Sequence, residues 1–574
     1  MKIFKHLKPY WFKIVIVIIT LFLNVLGVLF IPRLTVSIID YGVANGDIPY
    51  ILRQCGIMLL VAFLSSLFMV ISVKNYTEIA ASFAADLRKL VFVKVQGISI
   101  SQYEQFGAAS LIVRSTDDIT QVQTLTRMGL RMMLRAPLMF IGGIIMAIST
   151  NLELSMVFLA SLPITMIAIG FFAVKLVPIV GRVRLGLDNI NKIFRQRLNG
   201  IKVIRAFDKE IYEEGVFDKY NKEYTDVFDL AGRYQALFGP MLSFIMNITL
   251  VAIIYFGSRL IMTGSMRIGE IVGFLQYANS IMMSFLFLSM IFIQIPRAQA
   301  SINRINDVLN LKEDILEDGD EILEDIQTLE FKNVCFKYPS SKNYALKDVS
   351  FKAKKGDIVG VIGSTGSGKT TLANLLVRFY DIDEGEILIN GINIKNYDIH
   401  SLRDNIGYTE QKPSLIAGTV HDNVSMGMDQ RDTLDMEDAL EIAQADFILE
   451  RETGIHSDVA QRGGNFSGGQ KQRISIARAV YKNPSLYLID DSFSALDYKT
   501  EKELRKKLYS EIKDNIMIVI TQRATVAQDS DTIVLLNNGE MIGIGNHEEL
   551  KEQSLEYREI LESQDFEAGK NYGT

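Results

Sequence analysis

One glycine-rich stretch in this 574-residue chain has the residue types and the spacing to bind phosphate groups. It follows the apolar run 358–362, precedes a helical pattern that begins at Leu372, and consists of Gly363, Ser364, Thr365, Gly366, Ser367, Gly368, Lys369, Thr370 and Thr371. Its glycines allow successive backbone N–H groups to point at one anion beside a helix N-terminus. Lys369 would reach the outer phosphates, and the Thr370 hydroxyl would bind Mg²⁺. This stretch, hereafter the phosphate loop, predicts a nucleotide site rather than a plain glycine-rich turn.

Five further polar residues end predicted strands or follow them. Tyr338 ends one strand, where its ring would stack on an adenine, although a strand tyrosine more often serves packing. Gln411 would contact Mg²⁺ or the attacking water, although a plain surface glutamine is the simpler alternative. Asp490 is placed to hold Mg²⁺ through water, and Asp491 to orient or deprotonate the attacking water. Gln522 ends another apolar strand. Together these residues predict an ATP hydrolysis site.

A second helix start in the same half of the chain also suits an anion. Ser467, Gly468, Gly469 and Gln470 precede the helical pattern 474–479. The free N–H groups at such a start attract negative charge. Because one ATP does not need two such sites on one chain, this one would serve an ATP held by another subunit. The sequence therefore predicts a head-to-tail dimer with ATP between the two domains.

Composition separates the chain into two halves. Hydrophobic residues make up 49% of it and charged residues 22%, with nearly all long uncharged runs before residue 300 and acidic clusters after it. We expect a membrane domain over 1–310, an acidic linker over 311–328 and an α/β ATPase domain over 329–574. A net charge of −6 gives no reason to expect a nucleic-acid partner. Two distant cysteines indicate neither a disulfide framework nor a metal site.

Six uncharged stretches are long enough, or nearly so, to cross a bilayer, and they predict an all-α six-helix membrane domain: 14–32, 54–73, 136–149, 154–174, 236–258 and 271–296. Lysine and arginine are concentrated in the N-terminus and in the connections 74–135 and 175–235, which places these parts in the cytoplasm. Both connections are rich in helix formers, so we expect the membrane helices to extend well beyond the bilayer.

No charged residue lies near the middle of a span, so the sequence offers no proton relay for transport. Energy must then come from the ATPase half. Polar side chains in the spans would line a substrate path or, more ordinarily, join helices to one another, and these are Asn24, Asn247, Gln276 and Gln294.

The ATPase residues resemble, in order and spacing, the motifs of the ATP-binding cassette (ABC) proteins. The phosphate loop resembles the Walker A motif, 486–490 the Walker B strand, 494–497 the D-loop, and Gln411 the Q-loop glutamine. Residues 466–470 resemble the LSGGQ signature, with Phe466 in place of leucine. The membrane half resembles the exporter type of this family. The resemblance covers nearly the whole chain and implies a half-transporter that works as a dimer.

Two positions depart from the family pattern at the hydrolytic site. Asp491 stands where the family has a catalytic glutamate, and Gln522 where it has the switch histidine. Aspartate is one methylene shorter than glutamate, and glutamine cannot carry a proton. These departures predict a site that binds ATP and turns it over slowly. The family includes heterodimeric bacterial multidrug exporters with one such degenerate site, so a heterodimer is favoured over a homodimer.

The resemblance implies an ATP-driven exporter subunit, with ATP and Mg²⁺ as cofactors. Its expected cargo is an amphipathic drug, lipid or peptide, and its expected partners are a second half-transporter chain and membrane lipid. We expect it in a bacterial plasma membrane, with the N-terminus and the ATPase domain cytoplasmic. Two alternatives stay open: a nucleotide-gated channel or regulatory subunit, and an exporter-shaped importer of metal chelates.

Overall fold

The computed structural model describes residues 2–312, 315, 319–339, 341–428 and 435–570. Contacts between residues divide the chain into two units. Unit 1 comprises Met1–Gly97 and Gly107–Leu311, and unit 2 comprises Ile98–Phe106 and Lys312–Thr574. Four acids of the expected linker lie outside the described residues: Glu313, Asp314, Glu317 and Asp318.

The described part of unit 1 consists of helices joined by short connections, without a strand. Its helices, in chain order with α3 belonging to unit 2, are α1 (Trp11–Ser37), α2 (Ile48–Gln96), α3 (Ile100–Phe106), α4 (Ala108–Ser115), α5 (Asp117–Met128), α6 (Leu134–Thr150), α7 (Leu152–Asn199), α8 (Ile201–Ala206), α9 (Glu210–Met262) and α10 (Ile268–Leu309). A π-helical turn, Gly129–Met133, joins α5 to α6.

Five helical stretches of unit 1 are long and apolar enough to cross a membrane: Ile3–Val43, Ile48–Gln96, Ala108–Thr150, Leu152–Asn199 and Glu210–Met262. The sixth predicted span lies on α10, where the side chains of 288–294, 296 and 297 are outside the described residues. The predicted all-α membrane domain is therefore confirmed in type. Helices α2, α7 and α9 each run for 48 residues or more, well beyond the roughly 20 residues that cross a bilayer, and their extension into the cytoplasm stays a prediction.

One of the polar side chains within the spans joins two helices. Asn24 on α1 is buried, and its Nδ2 donates to the carbonyl oxygen of Ser65 on α2 at 2.9 Å and to the Ser65 hydroxyl at 3.0 Å. The Ser65 hydroxyl donates in return to the Asn24 carbonyl oxygen at 3.1 Å. These hydrogen bonds link α1 to α2 in an apolar setting and favour the helix-joining role for Asn24, although its Oδ1 has no hydrogen-bond partner among the described residues. The Gln294 side chain is outside the described residues.

Unit 2 contains a ten-stranded sheet in the order β5-β4-β1-β2-β12-β11-β3-β10-β9-β6, beside the two-stranded pair β7-β8. The strands are β1 (Thr328–Phe336), β2 (Leu346–Lys354), β3 (Ile358–Gly363), β4 (Glu384–Ile389), β5 (Ile392–Asn393), β6 (Ile406–Thr409), β7 (Gly418–Thr419), β8 (Asp458–Val459), β9 (Leu486–Asp490), β10 (Ile516–Thr521), β11 (Thr532–Asn537) and β12 (Glu540–Gly545).

The helices of unit 2 after α3 are α11 (Lys369–Leu376), α12 (Ile399–Asp404), α13 (Val420–Ser425), α14 (Met436–Ile442), α15 (Asp446–Leu449), α16 (Gly468–Tyr481), α17 (Tyr498–Glu511), α18 (Ala524–Ala527), α19 (His547–Gln553) and α20 (Leu555–Lys570). In the sheet, β11, β3, β10, β9 and β6 pair in parallel. Every residue of β9 and β10 is buried, as expected for central parallel strands covered on both faces. The predicted α/β class of this half is confirmed.

A buried carboxylate ties helix α17 to the segment that follows β10. Glu501 is 1% exposed, it forms an ion pair with Arg523, and its Oε1 lies 3.7 Å from Arg505 Nε. The Arg505 guanidinium also donates to the Thr525 carbonyl oxygen at 2.8 Å. Removing the carboxylate would leave Arg505 buried without its ionic partner on the same helix.

We expect Glu501→Ala to destabilise unit 2 by about 1 to 3 kcal/mol, because Arg505 and Arg523 lose a buried carboxylate while Arg505 keeps its ion pair with Asp529 at 3.2 Å. The measurement is the thermal unfolding midpoint of the full chain, together with hydrogen exchange in α17 and β10. Glu503→Ala is the matched control, because Glu503 is exposed on the same helix. Equal midpoints for the two variants would contradict the assigned importance of the Glu501 contacts.

Candidate nucleotide site

The phosphate loop connects β3, a central strand, to the N-terminus of α11. Two of its glycines require their lack of a side chain. Gly368 has φ +103°, in the left-handed region that other residues avoid. A Cβ on Gly363 would lie 2.2 Å from the Leu536 carbonyl oxygen, which is far inside contact distance. The glycine spacing read from the sequence therefore has a steric cause at this turn.

Lys369 is buried at the start of α11, inside the phosphate loop. Its Nζ donates to the carbonyl oxygens of Gly363 at 2.8 Å and Ser364 at 2.7 Å. Burial lowers the pKa of Lys369, while the nearby charges of Asp491 and Asp490 oppose that shift. The loop thus surrounds a desolvated ammonium group, which would interact strongly with an incoming phosphate.

Asp490 ends β9 and faces the beginning of α11. It is 1% exposed, and its Oδ2 has no hydrogen-bond partner among the described residues. Burial raises the pKa of Asp490 to about 6. A hydrogen bond from the Thr370 side chain lowers this pKa, and the charge of Asp491 raises it. A buried carboxylate oxygen without a donor fits a hard divalent cation, as does the adjacent hydroxyl.

No cluster of three or more His, Cys, Asp or Glu side chains suitable for a metal occurs in the part of the chain that the structure describes. The Asp490 carboxylate and the Thr370 hydroxyl supply only two protein ligands, and such a small protein contribution is typical of Mg²⁺ sites that bind nucleotides. Mg²⁺ usually keeps several waters and takes its other ligands from nucleotide phosphates.

Asp491 follows directly and adopts an uncommon backbone conformation, with φ +47°. Such a conformation costs energy in a residue other than glycine and is often found at functional positions. Gln411, just after β6, donates from Nε2 to Asp491 Oδ2 at 3.4 Å. Burial raises the pKa of Asp491, and the Gln411 hydrogen bond opposes the rise. Gln411 and Asp491 are therefore brought together as neighbours.

Gln522, the residue after β10, reaches the phosphate loop. Its Oε1 accepts a hydrogen bond from the Thr365 hydroxyl at 3.2 Å. Its backbone is held by Gln564 on α20, a residue that the sequence analysis did not single out. Gln564 Nε2 donates to the Gln522 carbonyl oxygen at 2.8 Å, and Gln564 Oε1 accepts from the Ala524 N–H at 2.7 Å. A lone glutamine in a polar C-terminal helix carries no sequence signal of this contact.

Tyr338 lies beside the phosphate loop, but it is not part of a strand. The prediction that the strand ends at Tyr338 is wrong, because β1 ends at Phe336 and the Lys337 N–H donates instead to the Asp383 side chain. The Tyr338 hydroxyl lies 3.1 Å from the Thr371 hydroxyl. Its half-buried ring packs edge-on against Phe336 and Tyr380, with centroids 5.0 and 5.2 Å away.

The four residues 467–470 form a separate cap on α16. The Ser467 hydroxyl accepts from the Gln470 N–H at 3.3 Å, and the Gln470 side chain accepts from the Ser467 N–H at 2.9 Å. Gly469 lies against Ala495, since a Cβ there would be 3.1 Å from the Ala495 carbonyl oxygen. Among the described hydrogen bonds, none joins Ser467, Gly468, Gly469 or Gln470 to the phosphate loop. The structure therefore groups this cap with 494–497 and not with the Lys369 site.

Comparison with known proteins identifies both halves. Residues 14–285 match the ABC transporter transmembrane region, and residues 346–494 match the ABC transporter family. The chain is 36% identical over 567 residues to the ABC transporter ATP-binding protein YfiB of Bacillus subtilis, covering 98% of each chain. It is 35% identical over 570 residues to an ABC transporter ATP-binding protein of Mycobacterium tuberculosis, again covering 98% of each.

A solved structure shares the fold. A bacterial Atm1-family ABC exporter with ATP bound superposes with a TM-score of 0.79 at 22% identity, over 97% of this chain and 98% of that one. The arrangement of a helical membrane domain followed by a sheet-containing domain is thus common to both. The chain belongs to the ABC transporters: it has the fold of an exporter-type half-transporter, binds ATP and couples ATP hydrolysis to transport across a membrane.

Proposed function

We propose that this chain is one subunit of a heterodimeric exporter, and that its own nucleotide site holds Mg²⁺ and ATP but hydrolyses slowly. The observation that carries the proposal is the pair Asp491 and Gln522. Both side chains lie at the carboxyl edge of the sheet beside the phosphate loop. Efficient hydrolysis needs a carboxylate that reaches the attacking water and a side chain that can carry a proton. Asp491 is one methylene shorter than glutamate, and Gln522 has no protonatable ring.

In this proposal the phosphate loop binds the ATP phosphates, with Lys369 exchanging its carbonyl partners for phosphate oxygens. Thr370 and Asp490 would hold Mg²⁺, and Gln411 would contact Mg²⁺ or the attacking water. Mg²⁺ would neutralise charge that develops on the phosphates. The Tyr338 hydroxyl contact with Thr371 keeps its ring next to the loop, which supports adenine stacking at that position.

Slow hydrolysis follows from the short side chain of Asp491 and from the inability of Gln522 to take up a proton. An aspartate places its carboxylate one methylene nearer the backbone than a glutamate, and a misplacement of about 1 Å can cost roughly 100-fold in rate. The Asp491 oxygen is also engaged by Gln411. Gln522 offers an amide that hydrogen-bonds but cannot become a cation, so it stabilises developing negative charge less than an imidazolium would.

The partner chain supplies what this site lacks. ABC exporters work as dimers, and the cap formed by residues 467–470 would bind an ATP held by the Walker A loop of the second subunit. That second site would carry the glutamate and the histidine absent here. The proposed setting is a bacterial plasma membrane, with the N-terminus and the ATPase domain in the cytoplasm. The proposed direction is export of an amphipathic compound.

We expect the purified full-length chain to bind ATP and to release phosphate at least about 100-fold more slowly than its complex with a co-purifying second half-transporter. The measurements are equilibrium binding of a fluorescent ATP analogue and phosphate release, both with Mg²⁺ present. Rapid phosphate release by the chain alone would contradict the heterodimer proposal. ATP-dependent accumulation of dye in inside-out but not right-side-out vesicles would separate export from uptake and from a channel.

We also expect the double variant Asp491→Glu, Gln522→His to raise phosphate release by the isolated chain about tenfold or more, because it restores reach and a protonatable group. The matched control is Asp514→Glu, Gln528→His, which makes the same two chemical changes at exposed positions. A rise in the control, or no rise in the double variant while ATP binding persists, would assign the slow turnover to another cause.

A further inference from the structure

A cavity of about 230 Å³ lies within unit 1, between α10 and the junction of α5 with α6. Two arginines, Arg131 and Arg135, line it from the junction. In the sequence they belong to the basic connection 74–135, whose charge predicts a cytoplasmic position. Their position on a cavity wall indicates a role beyond orienting the chain in the membrane.

The cavity wall is positively charged. Among the described residues, no carboxylate lies within ion-pair distance of Arg131 or Arg135. The polar groups on the opposite wall are neutral, and two of them, the hydroxyls of Ser280 and Ser284, donate to backbone oxygens of their own helix.

The junction itself has unusual geometry. Gly129–Met133 forms a π-helical turn, and this turn carries both Arg131 and Met132 onto the cavity wall. Such turns are rare and occur frequently at functional sites. Unit 1 has a second π-helical turn, Ile38–Val43, away from the cavity, so the turn at the junction adds to the charge of this wall and does not by itself mark a site.

The remainder of the wall is apolar and adaptable. Met132, Met139, Met283 and Phe287 line it. Methionine side chains are flexible and polarisable, so they accommodate apolar groups of different shapes. The volume is slightly below the roughly 300–1,000 Å³ of pockets that enclose drug-sized ligands. It would therefore enclose a charged group together with part of an apolar body.

We propose that this cavity binds an amphipathic organic anion, with its carboxylate, sulfonate or phosphate against Arg131 and Arg135 and its apolar part against the methionines. Planar guanidinium groups bind such anions through paired hydrogen bonds. Binding of the anion does not depend on the proposed export function, but the identification of the anion as the cargo does. It assigns a chemical class, organic anions in preference to the organic cations with the same apolar body.

The test is binding of two dyes that share a tricyclic ring system, anionic fluorescein and cationic rhodamine 123. Fluorescence anisotropy measures both with the full-length chain in phosphatidylcholine nanodiscs. We expect fluorescein to bind more tightly, and Arg131→Gln or Arg135→Gln to weaken it about tenfold each, without weakening rhodamine 123. Arg127→Gln is the matched control, because Arg127 is exposed one turn earlier and does not line the cavity. Unchanged rhodamine 123 binding shows that unit 1 of each variant is folded, and unchanged ATP binding shows the same for unit 2.

The anion could be dissolved or could be the headgroup of a bilayer lipid, and a second arm separates these sources. Phosphatidylglycerol added to the nanodiscs would displace fluorescein if the site takes an anionic phospholipid and would leave it bound if the site takes a soluble anion. Equal fluorescein binding by the parent chain and the Arg131→Gln, Arg135→Gln double variant overturns the inference. Tighter binding of rhodamine 123 than of fluorescein does so as well.

Transport distinguishes this inference from the proposed function. Fluorescein uptake into inside-out proteoliposomes, driven by ATP and reduced by the arginine substitutions, supports both. Arginine-dependent binding without uptake leaves the anion site standing and counts against export of such cargo. Uptake that the substitutions do not alter leaves export standing and overturns the anion site.

Discussion

The parallel pairing of β3, β10 and β9 determines the nucleotide site. In this register Ile362 lies beside Thr521, and Ile520 lies beside Asp490, so the three strands end at one edge of the sheet. Because parallel strands share a direction, their following residues emerge together. Asp491 and Gln522 lie about 130 and 160 positions after Gly363, the first residue of the phosphate loop, yet each of the three follows or ends its strand at the same edge. Pairing, and not local sequence, brings these residues together.

The same constraint explains which parts of the site could be predicted from sequence. Strands buried on both faces must be continuous apolar runs, and an acid at the end of such a run, as at Asp490, is informative. The glycines of the phosphate loop are also readable, since they are required by φ or by close backbone contact. The sequence predicts that the strand extends to Tyr338, because apolar residues continue to alternate past Phe336. In the structure β1 ends at Phe336, and the Lys337 N–H donates to the Asp383 side chain and not to a neighbouring strand.

Contacts that depend on distant segments left no sequence signal. The φ of Asp491 is positive because of its place in the fold, and the side chain of Gln564 reaches Gln522 from the C-terminal helix. In unit 1, Arg131 and Arg135 were visible only as charges near a span end. The rule that basic residues near span ends are cytoplasmic uses the sign of the charges and takes no account of where the side chains point. The π-turn that carries Arg131 onto the cavity wall has no marker in composition or periodicity.

The segment after β10 links the phosphate loop to the region that would face a second ATP. Gln522 accepts from Thr365, and the next residue, Arg523, pairs with Glu501 and donates to the Ser494 carbonyl oxygen at 3.2 Å. Ser494 opens the stretch 494–497, whose Ala495 lies against Gly469 of the cap. A displacement of Thr365 by nucleotide would therefore act on a contiguous chain of contacts that ends at the cap. In a dimer with unequal sites, such a chain would let a subunit that only holds ATP affect the site where its partner hydrolyses it.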